Sequence, residues 1–227
     1  MPLKPLTKPF VITIDGPAAS GKSSASRHLS KTLGCPWVST GAFYRAIGLI
    51  ADMEQVNLEN EAEVVGLIEK KEWEVKLTPE KTRVIYKNED ITDSVFLEKT
   101  GKLASVVSQL PEVRKALLQA QRDLSCENQG LIAEGRDCGT VVFPNADVKF
   151  FLTANSESRA ERRALQEGGD IQKIHSEQKL RDERDKSRQS APMQVPEGAH
   201  VLDTSQLNLE EVVQEVEKIV LQTLDLS

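Results

Sequence analysis

The sequence of 227 residues lacks the features that would place it in a membrane or in an oxidising compartment. It has no apolar run near the roughly 18 residues that a membrane-spanning helix needs. Its three cysteines, Cys35, Cys126 and Cys138, are an odd number without a C-x-x-C spacing, which indicates neither a disulfide framework nor a zinc site. The opening MPLKPLTKPF is too short and too rich in proline for a signal peptide, so we expect a cytoplasmic protein.

The sequence also lacks the basic excess that a general nucleic-acid binder carries. Its formal net charge is -6, with 35 acidic residues against 29 lysines and arginines. Several arginines are nevertheless concentrated in one late part of the chain, at positions 159, 162, 163, 181, 184 and 188. A local basic cluster in an acidic chain suits a small polyanion. We therefore expect small phosphorylated partners, and neither a polynucleotide nor a membrane.

A phosphate-binding loop stands near the start of the chain. The apolar run Phe10 to Ile14 ends abruptly, and the next residues match G-x-x-x-x-G-K-[ST] without a substitution. In such a loop the backbone N–H groups point at phosphate oxygens, and the following helix adds the positive end of its dipole. A tight turn with an exposed lysine is the alternative, but strand, glycines, Lys-Ser and helix would then agree by chance.

We expect this loop to bind the phosphates of a nucleoside triphosphate. Lys22 would reach the outer phosphates, and the Ser23 hydroxyl would be a ligand of Mg²⁺. The loop residues expected to contact the nucleotide are Gly16, Pro17, Ala18, Ala19, Ser20, Gly21, Lys22, Ser23 and Ser24.

Strand-like and helical patterns alternate along most of the chain. After the first strand, the candidates are 36–38, 131–133, 148–152 and 200–202. This alternation predicts an α/β fold, a doubly wound parallel sheet of about five strands with helices on both faces. The alternation of Trp73, Val75 and Leu77 with charged residues predicts a small antiparallel β insertion.

Charged residues follow two further strands of the predicted sheet. Arg45 comes shortly after the second strand, and Arg136 and Asp137 come directly after the third. Ligands of doubly wound sheets bind at the carboxyl ends of the strands, so these three residues should face the same crevice as Lys22. Alternatively, Arg45 could decorate a helix, and Arg136 and Asp137 could form a surface ion pair worth little.

Taken together, these motifs resemble those of the bacterial cytidylate kinases (CMP/dCMP kinases), a family of P-loop nucleoside monophosphate kinases. The matching pieces are IDGPAASGKSS, STGAFYRA, the segment 105–117, IAEGRDCGTVVFP, RAERR and RDERDKSR, which occur in this order from about residue 10 to residue 203. The resemblance implies a core kinase domain at 1–60 and 105–227, which includes a short lid around 159–190. It also implies a monophosphate-binding insertion at 61–104.

The resemblance further implies a role for each matching residue. Arg45 and Arg136 would hold the phosphate of the acceptor. The ribose would be contacted by Ser105, Arg181 and Asp185, the base by Thr40, Arg114, Asp137 and Arg188, and the donor phosphates by Arg159 and Arg163. The catalytic residues would be Lys22, Arg45, Arg136 and Arg181. Thr40 stands where the family commonly has serine, and the effect of its added methyl on the base pocket is left open.

The implied reaction is Mg-assisted, in-line transfer of the γ-phosphoryl group of ATP to CMP or dCMP by a monomeric enzyme. The acceptor phosphate is already ionised, so no catalytic base is needed. The alternatives are a kinase for another small acceptor, such as UMP or a sugar, and a P-loop ATPase or GTPase switch. A GTPase would need an N-K-x-D segment, which residues 87–90 only scramble, and a nucleic-acid-stimulated ATPase would need a basic track.

Overall fold

The structure is a computed structural model that describes residues 8–78, 80–126 and 128–226. Most of the opening segment used in the signal-peptide argument therefore lies outside the described residues. The strands are β1 (Phe10–Asp15), β2 (Trp37–Ser39), β3 (Trp73–Leu77), β4 (Thr82–Tyr86), β5 (Glu89–Asp90), β6 (Gly130–Gly135), β7 (Val148–Thr153) and β8 (His200–Asp203).

Helices connect these strands. They are α1 (Lys22–Leu33), α2 (Gly41–Met53), α3 (Glu61–Glu69), α4 (Thr92–Val95), α5 (Glu98–Val107), α6 (Pro111–Cys126), α7 (Ser156–Glu167), α8 (Ile171–Ser187) and α9 (Leu209–Thr223). A single π-helical turn, Cys138–Val142, follows β6. Within the described ranges, no helix is both long enough and apolar enough to cross a membrane.

Five strands form one parallel sheet in the order β2-β6-β1-β7-β8, which confirms the predicted doubly wound α/β fold. The central strand β1 is apolar because helices cover both faces of the sheet, and Ile12 and Ile14 are fully buried. In the β1–β6 register, Asp15 lies opposite Gly135. The chain therefore leaves these two strands side by side, and Gly16 and Arg136 become neighbours.

The two faces of the sheet have separate apolar clusters. On one face α1 and α9 pack on the sheet through residues such as Leu29 and Val216. On the other face α2 and α6 pack through residues such as Ile47 and Leu117. Helix α9 begins at a capping box formed by Asn208 and Glu211, which satisfies two backbone N–H groups. These helices leave the carboxyl ends of the strands open.

The three strands β3, β4 and β5 form the predicted antiparallel sheet. Trp73 is partly buried and meets the Phe43 ring edge to face, whereas Glu74 and Lys76 are exposed. The Thr82 hydroxyl accepts a hydrogen bond from the backbone N–H of Ser39 at 3.1 Å, which fixes this small sheet beside the end of β2. Helix α5 runs across position 104, where the sequence analysis ended the insertion.

Candidate active site

The phosphate loop owes its shape to two glycines with positive φ. Gly16 has φ 140°, and a Cβ there would lie 2.0 Å from the carbonyl oxygen of Leu152. Gly21 has φ 96° and precedes the first residue of α1, where no side chain caps the helix. The N–H groups at the N-terminus of α1 can therefore donate hydrogen bonds to a ligand, and the helix dipole favours an anion at this place.

Lys22 points back into this loop. Its Nζ donates to the carbonyl oxygen of Pro17 at 2.6 Å. Burial, reinforced by the positive charge of Arg136, lowers the pKa of Lys22 to about 7. A phosphate group beside the ammonium would reverse this effect by favouring its charged form.

Ser23 and Glu134 bring a hydroxyl and a carboxylate together beside the loop. The Ser23 hydroxyl lies 2.8 Å from each carboxylate oxygen of Glu134. Glu134 is buried near the carboxyl end of β6, a position typical of ligand contacts in this fold. Glu134 was not among the predicted site residues, although its place before Gly135 and Arg136 could have indicated it.

A cavity of about 190 Å³ at the carboxyl ends of the strands brings most of the predicted residues together. Arg45, Arg136 and Asp137 line it with Lys22, as the strand order implies. The other predicted residues in its wall are Ala18, Ala19, Ser23, Thr40, Ser105, Arg163, Arg181, Asp185 and Arg188. Glu134 and Tyr44, which were not predicted, also line it.

Positive charges crowd one side of this cavity. Burial first, and then the nearby charge of Arg136, lower the pKa of Arg181 to about 10; Arg45 and Arg163 act in the same direction, and Asp185 opposes them. The Arg45 guanidinium donates to the carbonyl oxygens of Val95 at 3.1 Å and Leu97 at 2.9 Å. Such crowding of like charges is relieved by a bound anion.

A chain of alternating charges, called the charged cluster, lies in the cavity wall and directly behind it: Arg114, Asp137, Arg188, Asp185 and Arg136. Arg114 pairs with Asp137, and Arg188 lies 3.9 Å from both Asp137 and Asp185. Asp185 in turn lies 3.0 Å from Nε of Arg136. Burial raises the pKa of Asp137, and the arginines on either side oppose that rise. The members thus stabilise one another in a site where unpaired charges would be costly.

Three side chains in the cavity wall have polar atoms without a hydrogen-bond partner in the described part of the chain. They are Oγ of Ser105, Oδ2 of Asp185 and the Nε and Nη2 atoms of Arg188, and all four atoms are buried. Most buried polar atoms of folded proteins are hydrogen-bonded, so these atoms are positioned for a polar ligand.

The remaining predicted residues lie outside the cavity wall. Gly16, Pro17, Ser20, Gly21 and Ser24 belong to the loop or to the start of α1. Arg114 lies behind the cavity, with its guanidinium 5.1 Å from the centre of the Tyr44 ring.

Arg159 is buried beside the phosphate loop. It pairs with Asp182 at 2.6 Å and donates to the carbonyl oxygen of Ala18 at 3.3 Å. Asp182 was not predicted, since an acidic residue on a charged helix is usually solvated.

Known proteins resemble this chain over nearly its whole length. The sequence pattern of one family, described as cytidylate kinase, matches residues 12–222. A cytidylate kinase from Bdellovibrio bacteriovorus is 54% identical over 207 residues, which cover 91% of this chain and 95% of that protein. One from Neisseria meningitidis serogroup B is 44% identical over 211 residues, 91% of this chain and 94% of that protein. A solved structure, an uncharacterized protein from Eubacterium ventriosum, covers 94% of this chain and 98% of its own at 13% identity with a TM-score of 0.53, which shows the fold alone.

Proposed function

The chain belongs to the cytidylate kinase family, and from that premise we propose how its cavity binds the two nucleotides of the reaction. That reaction is transfer of the γ-phosphoryl group of ATP to CMP or dCMP, which yields ADP and CDP or dCDP. The observation that carries the proposal is the meeting of Lys22 with the crowded arginines Arg45, Arg136, Arg163 and Arg181 around one cavity.

The donor side is the phosphate loop. Residues 16–24 surround the phosphates of ATP, which the backbone N–H groups of all of them except Pro17 can bind, and Lys22 reaches the outer phosphates. Arg163 adds positive charge from α7. Arg159 contributes to the same side, where its contact with Ala18 supports the loop.

Magnesium fits beside this loop. The Ser23 hydroxyl and the Glu134 carboxylate are oxygen donors 2.8 Å apart, the ligand type that Mg²⁺ prefers. Mg²⁺ is usually held by one or two carboxylates together with phosphates and water, so a larger cluster of acidic residues is not required. When bound with ATP, the ion would neutralise charge on the transferring phosphoryl group.

The acceptor side is the rest of the cavity. Arg45 and Arg136 bind the phosphate of CMP, while Ser105, Arg181 and Asp185 contact the ribose. The charges of Arg136 and Arg45 both act on Arg181, so Arg181 is close enough to the acceptor phosphate to stabilise the moving phosphoryl group as well.

The base is bound by Thr40, Arg114, Asp137 and Arg188. The Thr40 hydroxyl donates its hydrogen to the carbonyl oxygen of Glu134 at 2.9 Å. A hydroxyl has one donor and two acceptor positions, so toward the cavity Thr40 can only accept. An ionised Asp137 can likewise only accept. Cytosine presents a 4-amino donor to such groups, whereas uracil would present a carbonyl acceptor.

The chain needs no general base, because the acceptor phosphate is already ionised at neutral pH. Its residues align donor and acceptor and exclude water, which could also accept the phosphoryl group. A cleft of about 370 Å³ between α5 and α8 shares Ser105, Arg163 and Arg181 with the cavity. Closure of the lid (159–190) toward the insertion (61–104) would narrow this cleft, across which Lys102 and Glu177 already pair at 3.0 Å.

The enzyme is proposed to act as a cytoplasmic monomer. The thiols of Cys35 and Cys138 are buried and form no disulfide, in keeping with a reducing compartment.

The segment 87–90 only scrambles the guanine-binding N-K-x-D motif of a GTPase. Its first two residues, Lys87 and Asn88, form the turn that joins β4 to β5 in the antiparallel sheet.

Coupled ADP production tests the proposal with CMP, dCMP, UMP, AMP and a panel of sugars as acceptors, with and without Mg²⁺. We expect CMP and dCMP to be the preferred acceptors. Asp137→Ala should raise the KM for CMP and narrow the gap to UMP, since mispairing at two buried positions is expected to reject UMP by roughly several hundredfold or more. Asp93→Ala, at an exposed carboxylate of the insertion, is the matched control. If Asp137→Ala keeps the wild-type preference for CMP over UMP, the assignment of Asp137 to base binding is wrong.

A further inference from the structure

We propose that Asp15 is a positioning residue that fixes the acceptor-binding segment 136–139 against the phosphate loop. This inference rests on the proposed function, because it takes Arg136 and Asp137 as ligands of CMP. Asp15 would touch neither nucleotide. It would set the direction in which its neighbours across the sheet meet the acceptor.

The contacts of Asp15 are those of a clamp. It is the last residue of β1 and is fully buried. Its two carboxylate oxygens accept hydrogen bonds from consecutive backbone N–H groups, Cys138 at 2.8 Å and Gly139 at 2.7 Å. A bond in the opposite direction completes the clamp, since Nη1 of Arg136 donates to the carbonyl oxygen of Gly16 at 2.5 Å. The donor loop and the acceptor segment thus hold each other.

A carboxylate is the chemical group that this place requires. Two N–H donors need two acceptor oxygens, whereas an amide of the same size offers one oxygen and turns its NH₂ toward the second donor. Burial raises the pKa of Asp15 to about 6, and nearby Asp137 adds to the rise, while the two backbone N–H groups oppose it. The charge of Lys22 faces the same carboxylate. Keeping a buried carboxylate here costs free energy that two strong charge-assisted hydrogen bonds offset.

The far end of the π-helical turn is fixed independently. Arg122 donates to the carbonyl oxygens of Val141 at 2.8 Å and Val142 at 2.9 Å. Asp15 therefore controls only the beginning of this turn, immediately after the two residues that face the cavity. Loss of its bonds would let Arg136 and Asp137 shift without unfolding the turn.

The test compares two carboxylates that accept backbone hydrogen bonds: Asp15, the last residue of β1, and Asp147, which precedes β7 and contacts the start of β1. Asp15→Asn is the test variant, and Asp147→Asn is its matched control, because the exposed Asp147 also accepts a backbone hydrogen bond, from Val11 at 2.8 Å. We expect Asp15→Asn to lower kcat/KM for CMP by about 100-fold, the scale of a misplacement of about 1 Å. Its preference for CMP over UMP should also fall, whereas ATP affinity should change far less. Asp147→Asn should keep wild-type kinetics.

Wild-type CMP kinetics in folded Asp15→Asn would overturn the inference, and so would equal losses of ATP and CMP binding. If Asp15→Asn does not fold, Gly139→Ala replaces it. The added Cβ would lie 2.8 Å from Oγ1 of Thr13 and 2.9 Å from Cγ of Pro196, which should displace the Gly139 N–H from Asp15. The same split between CMP and ATP is expected, and its absence would overturn the inference.

Arg136→Met separates this inference from the proposed function. If Arg136→Met loses CMP activity while Asp15→Asn does not, only the role of Asp15 fails. If Arg136→Met itself keeps normal CMP kinetics, the assignment of the acceptor site fails.

Discussion

The donor loop and the charged cluster are both built for charged groups, but the loop relies on its backbone and the cluster on paired side chains. Residues 16–24 are contiguous, and their shape depends on backbone angles at Gly16 and Gly21. The charged cluster draws its five side chains from α6, from the residues after β6 and from α8 and the residue that follows it. Several positions of a loop that binds through its backbone can carry small side chains. Each member of a cluster of buried charges needs its own side chain, because removing one member leaves its partner unpaired.

The largest expected effect is at Lys22, the charged side chain of the donor loop. Lys22→Ala should leave the fold intact and lower kcat by roughly three orders of magnitude, because it removes a main charge stabiliser of the transferring phosphoryl group. Lys31→Ala, at an exposed lysine in the last turn of α1, is the control. Steady-state kinetics and circular dichroism are the measurements. Near-normal turnover of folded Lys22→Ala would contradict the phosphate-loop assignment.

The second effect separates the two regions. Arg45→Met and Arg136→Met should each lower kcat/KM for CMP on the order of a hundredfold, the scale of losing one preorganised charged donor. ATP affinity, measured by calorimetry, should change little. Arg83→Met is the control, because Arg83 pairs with Asp90 on the exposed surface of the insertion. Equal loss of ATP affinity would place these arginines on the donor nucleotide instead.

The third effect is a pH dependence that belongs to the donor loop alone. The pKa of Lys22 is about 7 in the free protein, and bound phosphate should raise it. Below pH 7 the lysine is charged in both states and contributes no pH dependence. Above pH 7 binding takes up a proton, so ATP affinity should fall by up to about tenfold per pH unit until the pKa of the bound state is reached.

Calorimetry at pH 8 in buffers of different ionisation enthalpy measures this proton uptake. Lys22→Ala should abolish it, and Lys31→Ala should retain it. ATP binding without proton uptake in the wild-type protein would show that Lys22 is already charged.

The smallest expected effect is on the choice of sugar. Removing Asp185 or Arg181 should change the CMP to dCMP rate ratio by about fivefold, which corresponds to one hydrogen bond of about 1 kcal/mol. Asp185→Ala will also lower both rates, since it leaves Arg136 and Arg188 without this partner. The ratio is therefore the informative quantity, and Glu183→Ala on the exposed face of α8 is the control. If the CMP to dCMP rate ratio is unchanged in both variants, the assignment of Asp185 and Arg181 to the ribose is wrong.

Much of the fold followed from local patterns. The five strand candidates are all strands of the parallel sheet, and the alternation of Trp73, Val75 and Leu77 with charged residues is confirmed as an antiparallel strand. Glu134 and Asp182 were missed, because an isolated acidic residue carries no pattern of its own. The role assigned to Arg159 stays a prediction, and its pairing with Asp182 could not be anticipated from two separate charged helices.

The donor loop was predictable from its amino acids, because glycine spacing, the preceding strand and the following helix act on neighbouring residues. Which charges pair depends instead on contacts between distant parts of the chain. Arg114 and Asp137 are 23 residues apart in the chain, and Asp15 accepts from backbone groups more than a hundred residues away. Such contacts depend on the order of strands in the sheet, since the carboxyl ends of β1 and β6 must lie side by side before the charged residues that follow them can meet.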